Sequence, residues 1–268
     1  MSKNKPKRRN SFDLLVEKLI DEFSKIPNFD LTRTDETANK LFNTIAFRLA
    51  DISSFKELVL NHYVPATNKA SFENEQQILQ SRYRHLLTIN KDDLRETLFQ
   101  TIRLSYVGLF HKLESFINDV VKMSDLFLED TSKETVEKYA KRKFRFNIRD
   151  WQQFFVTHKI NWVCNCLKHY DGFPLKQPKP FLCEHFSEDK RLQLTAQDFK
   201  FDAELLLKLL PVYLQIMFVI AQHKSSFEDY NREEWQDMPE ILKIHDEYEE
   251  KQTEVINGLL TQLKALAR

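Results

Sequence analysis

Apolar residues recur every three or four positions through most of this chain. Leu41, Ile45, Leu49, Ile52, Phe55 and Val59 keep that interval, and so do Leu94, Leu98, Ile102, Tyr106, Leu109, Leu113, Phe116 and Val120. This is the period of a helix with one buried face, and no segment shows the two-residue alternation of a half-buried strand. Start and stop residues divide the pattern. Ser11 caps a first helix that Pro27 ends; a second runs from about Asp35 to Tyr63 and is stopped by Pro65; Ser71 opens a third through about Leu87. Asn90 caps the longest, which reaches Val121. Thr131 or Ser132 caps Glu134–Phe146, and Asp150 caps Trp151–His169. Asp171, Gly172, Pro174, Pro178 and Pro180 make 170–190 an irregular loop. The most apolar helix covers 198–223, and one or two more cover 232–266, broken near Pro239. The expectation is an all-α bundle of seven to nine helices built on long central helices at 94–121, 151–169 and 198–223. Residues 1–10 read as a flexible basic tail, 11–90 as N-terminal helices packed on the bundle, 91–223 as its core and 224–268 as an acidic helical extension.

Composition narrows the chemistry. The 268 residues include only three glycines, Gly108, Gly172 and Gly258. Dinucleotide fingerprints, P-loops and nucleophile elbows all need glycines closer together than these, so each is excluded. Gly108 falls inside the longest helix, where a glycine implies a close helix crossing. The 22 phenylalanines supply apolar bulk between helices. Lysine plus arginine and aspartate plus glutamate each number 40, so no net field favours a polyanion. Locally, Lys133–Arg149 holds seven basic and two acidic residues, and Glu228–Glu254 holds eleven acidic and three basic ones. Three cysteines, a polar basic N-terminus and no signal peptide place the expected compartment in the reducing cytoplasm. Leu205–Ala221 is apolar, but it is 17 residues long and contains Lys208, Pro211 and Gln215. It reads as a buried core helix and not as a membrane span.

The most specific local signal is Asn165-Cys-Leu-Lys-His169 followed by Tyr170-Asp171-Gly172. Residues 165 and 169 share a helix face one turn apart, so they can anchor a phosphate and move a proton near neutral pH. The alternative is a histidine that only complements the negative helix end. Lys138–Arg149 interleaves basic residues with Phe144 and Phe146, and Trp151 follows. Arg142, Arg145 and Arg149 are spaced to line one face, as single-stranded nucleic acid requires of its phosphate contacts. The alternative is a solvated basic helix, paired with the acidic 228–254 region, whose phenylalanines face the core. Zinc would need Cys166 and His169 together with Cys183 and His185, because Cys164 and Cys166 point to opposite sides of a helix. The C-x-H spacing is tight for such a site, so no metal and no cofactor is expected. The His245-Asp246 doublet lacks the other ligands of a phosphohydrolase metal site.

The run N-x-L-K-H at a helix end, followed by glycine and prolines, resembles the HEPN family (higher eukaryotes and prokaryotes nucleotide-binding). The segment Leu104-Ser-Tyr-Val-Gly-Leu-Phe-His-Lys-Leu-Glu114 is similar to that family's aromatic-x-x-L-E helix, which makes Glu114 a further candidate. The two motifs span about 91–223. The resemblance implies a helical bundle that dimerises through facing motif helices, with RNA as its partner and toxin or defence roles. Active members look like metal-independent endoribonucleases in which a 2′-hydroxyl attacks the adjacent phosphodiester. His169 would be the acid/base, Asn165 its orienting partner, and Lys168 with the three arginines would hold phosphates. This chain departs from the pattern at one position. The arginine that precedes the polar residue is here Cys164, and a neutral thiol lacks the paired donors for phosphate oxygens. A non-catalytic helical module, acting as an interaction subunit, is the alternative implication.

Overall fold

The computed structural model describes residues 36–86, 91–124, 134–147, 155–224, 227 and 239–266. Its segments are α1 (Glu36–Leu58), α2 (Val64–Gln80), α3 (Lys91–Ser124), α4 (Val136–Phe144), α5 (Phe155–His169), α6 (Ala196–His223) and α7 (Pro239–Leu266). Short 3-10 turns lie at Arg84–Leu86 and Phe181–Cys183. The protein is all-α, and among the described residues there is no strand. The helix expected at 11–26 lies outside the described residues, as do the caps expected at Ser11, Asn90 and Asp150.

Six separate helices are described, fewer than the seven to nine expected. One expected helix, at 11–26, lies outside the described residues, and Pro65, expected to end the second helix, does not stop the chain. A π-turn, Val59–Tyr63, joins α1 directly to α2. There the Val64 N–H reaches back five residues to the Val59 carbonyl. The wider turn makes room where the proline ring and missing N–H would otherwise break the α-register. The third helix therefore does not open at Ser71. A smaller correction follows the same logic of local hydrogen bonding. Thr135, not Thr131 or Ser132, caps α4, its Oγ1 accepting from the Lys138 N–H at 3.4 Å. The last described helix runs from Pro239 to Leu266, and the segment just before it, where a break was expected, lies outside the described residues.

The chain forms two compact units. The first takes residues 1–50, 115–150 and 208–268, and the second takes 51–114 and 151–207. In the first, α6 supplies an unbroken buried run from Leu209 to Ala221, so it is apolar on every side. Among the described residues this helix is the one stretch long and apolar enough to cross a membrane by length and composition, and 78% of that window is buried. Phe116, Val120, Tyr139, Ile256 and Leu263 complete that core.

In the second unit the core is Ile102, Tyr106, Leu109 and Leu113 of α3 with Ile160, Trp162, Val163 and Cys166 of α5 and Phe199 of α6. Gly108 sits where α3 crosses α1. A Cβ added there would stand 2.5 Å from the Phe55 ring, so the crossing leaves no room for a side chain.

Candidate functional site

The C-terminal end of α5 carries Asn165, Lys168 and His169. The helix closes when the Tyr170 and Gly172 N–H groups both donate to the Cys166 carbonyl, each at 3.0 Å. Asp171 and Gly172 take positive φ of 51° and 82° to make that closure. Glycine does so without strain, which is why the motif's glycine stands there. The next segment returns at once, with the Leu192 N–H donating to the Gly172 carbonyl at 2.8 Å.

His169 is exposed in the last turn, and no hydrogen bond or ion pair reaches its ring among the described residues. Asn165 makes no hydrogen bond to it. Its Nδ2 donates to the Asn161 carbonyl and to Asn161 Oδ1, both at 2.9 Å, one turn back along the helix. Lys168 is exposed and lies with Nζ 5.5 Å over the Phe110 ring.

Position 164, which holds arginine in the HEPN pattern, faces the interior. Burial pushes the Cys164 thiol pKa up; Lys168 beside it pulls the other way, and Glu114 adds to the rise. Glu114 and Lys168 therefore share one neighbourhood around a buried thiol. Glu114 also holds His111, at 3.5 Å, on the exposed side of α3. Cys166 and Cys183 are buried as well, and burial pushes Cys183 up to about 12, so all three are inert as nucleophiles near neutral pH. Among the described residues no group of three or more His, Cys, Asp or Glu side chains is close enough to hold a metal ion.

Two arginines that the sequence reading did not single out stand at this turn. Arg191 Nε donates to the Asp171 carbonyl at 3.1 Å, and its Nη2 pairs with the Asp171 carboxylate. Its guanidinium also lies 5.7 Å over the Phe173 ring. Arg103, buried, packs against Gly172 and donates from Nη1 to the Leu192 carbonyl at 3.5 Å. Glu96 bridges the two, paired to Arg103 Nη2 and lying 3.6 Å from Arg191 Nη1. Their spacing in the chain carries no sign of this meeting. Arg103 follows Ile102 of the α3 stripe, and Arg191 follows an irregular loop 20 residues beyond Asp171.

The basic stretch belongs to the first unit, and two of its five described cations, Arg142 and Lys143, are matched to acids. Arg142 makes a bidentate pair with Glu134, at 3.1 and 2.9 Å, and lies 5.2 Å over Tyr139. Lys143 meets Glu249 of the acidic extension at 2.8 Å. Arg145 is exposed and closes α4 in the left-handed conformation, φ 51°. Phe144 packs edge-on against Tyr139 and His223, and Phe146 is buried. Arg149 lies outside the described residues.

Comparison with protein-family models, with curated proteins and with solved structures gives no match.

Proposed function

We propose that this protein acts on or binds RNA through the C-terminal end of α5, as the HEPN resemblance implies, with His169 as the group that moves a proton. The observation that carries the reading is an exposed, unengaged imidazole on a rigid helix end, with an arginine tied to the turn two residues beyond it. The thiol at 164 removes one phosphate donor, and Arg191 supplies a guanidinium on the same turn. Its partners there, Asp171 and Glu96, are at the surface, where ion pairs are worth less than about 1 kcal/mol. A phosphate can therefore compete for it. In this reading His169 takes the proton of the 2′-hydroxyl of a bound strand as that oxygen attacks the adjacent phosphorus; the bond from phosphorus to the 5′-oxygen breaks, a 2′,3′-cyclic phosphate remains, and the leaving 5′-oxygen takes up a proton from the imidazolium. The protein needs no metal for that step. Cytoplasmic location and a toxin or defence role are parts of the same proposal.

A second reading, a non-catalytic helical interaction module, is favoured by Asn165, whose amide is committed to Asn161 and leaves His169 without an orienting partner. One experiment separates the two. RNA cleavage by the wild-type chain, lost in His169→Ala with the helical spectrum unchanged, is the expected result. Equal cleavage by both proteins, or none by either, rejects the catalytic reading. RNA binding without cleavage keeps the site and removes the chemistry.

A further inference from the structure

The end of α2 and the turn after it carry large apolar side chains that their own unit leaves in solvent. Within α2 the one buried residue is Val64, and Thr67 meets Thr101 of α3 at 3.2 Å. Beyond that point Phe72 is 60% exposed, Leu79 50%, Tyr83 52% and Leu86 69%. Single exposed apolar residues are ordinary on any surface, but a run of this kind marks a contact surface. Phe72 and Leu79 are seven residues apart, two turns of helix, so they share a face. Leu86 follows after another seven, on the 3-10 turn.

The charges along this segment are ordered. Glu73 and Glu75 precede Leu79, and Arg82 and Arg84 follow it. Glu73 has a loose partner in exposed Lys69 at 3.9 Å, and Arg82 rests 4.6 Å over the Tyr83 ring. Neither contact fixes its charge strongly. We propose that this segment is a self-complementary interface through which two copies of the chain associate, antiparallel and centred on Leu79. A two-fold axis sets the part of the segment before Leu79 on one copy against the part beyond it on the other. Phe72, Glu73 and Glu75 on the helix of one copy then face the turn of the other, which carries Arg82, Arg84 and Leu86. A parallel pairing would set acid on acid and base on base. This interface is distinct from a pairing of motif helices and does not depend on the RNA reading.

Sedimentation equilibrium of the full chain over a dilution series tests it. The wild type is expected to dimerise reversibly, and F72E/L79E to remain monomeric at concentrations where the wild type is a dimer, with helical circular dichroism unchanged. The charge variants E73K/E75K and R82E/R84E make the segment wholly basic and wholly acidic. Each alone is expected to weaken self-association about tenfold or more, equivalent to about 1.4 kcal/mol. An equimolar mixture of the two is expected to regain a dimer. Because these four side chains are surface groups, the mixture decides the matter even if F72E/L79E fails to fold. A wild type that stays monomeric at its highest concentration overturns the proposal and leaves the face to a different protein. A dimer indifferent to F72E/L79E, or a mixture that does not recover, also overturns it.

Discussion

Lys159 Nζ lies 2.7 Å from Asp202 Oδ2 in the core of the second unit, with both side chains almost fully buried. Tyr106 Oη donates to the same oxygen at 2.5 Å. The three groups tie α5, α6 and α3 together. Burial pushes the Asp202 carboxyl pKa up, and Lys159 opposes that rise. Burial also holds the Tyr106 hydroxyl well above its usual range.

Removing one member of this cluster therefore leaves a charge without compensation. Lys159→Met is expected to destabilise the protein by about 3–5 kcal/mol, the usual cost of breaking a buried pair. Lys159→Met with Asp202→Asn is expected to cost less than Lys159→Met alone, because no charge is then stranded. Urea denaturation of the three proteins measures both. A single variant within about 1 kcal/mol of wild type would mean that the pair does not hold the core.

Gly172 provides a test confined to the motif turn. Its φ of 82° is open to glycine and strained for any other residue, while the space around it holds only ordinary contacts with Leu167 and Arg103. Gly172→Ala is expected to cost about 1 kcal/mol, through backbone strain and not through a clash. If the turn positions the RNA site, the same change lowers RNA affinity while thermal melting moves by only a few degrees. A Gly172→Ala protein as stable as wild type would show that the turn relaxes without cost.

The fold was readable because it rests on local rules. The stripes from Leu49 to Val59 and from Ile102 to Val120 are buried as their period requires, and Gly108 marks a crossing. Pro65 misled because a proline signals a stop only if the preceding turn keeps the α-register, and the π-turn before it does not. The candidate site was legible only in part. Asn165 and His169 share a helix face, but Asn165 has a nearer acceptor in Asn161, which spacing alone does not reveal. Arg103 and Arg191 meet at Glu96 through tertiary folding, and no local pattern encodes that. One counter-charge of the basic stretch is remote in sequence and invisible to a local reading: Lys143 finds Glu249 106 residues away.

The acidic extension should make the first unit sensitive to low pH. Hydrogen bonding to Lys143 holds Glu249 below its ordinary 4.5, and hydrogen bonding to Arg142 does the same for Glu134. A carboxyl lowered in the folded state contributes stability that is full above 4.5 and lost as pH falls through the lowered value. Both pairs are partly exposed, so each is worth less than about 1 kcal/mol. Glu134→Gln with Glu249→Gln is expected to reduce stability at neutral pH and to flatten its decline below 4.5. Parallel stability curves for the double variant and wild type would assign the acid sensitivity to other carboxylates.

Salt dependence of RNA binding distinguishes the two groups of arginines. Each phosphate neutralised on a single strand contributes about 0.7 to the slope of log affinity against log salt. Arg191 is held at the motif turn by surface acids that a phosphate can displace, so Arg191→Ala is expected to reduce that slope by about one such increment. Arg142 is committed to Glu134 in a bidentate pair, and Arg142→Ala is expected to leave the slope unchanged. Fluorescence anisotropy with a labelled single-stranded RNA, titrated at several salt concentrations, reads both. A slope that falls for Arg142→Ala and holds for Arg191→Ala would move the RNA surface from the end of α5 to α4. It would also leave His169 with no phosphate-binding arginine on its turn.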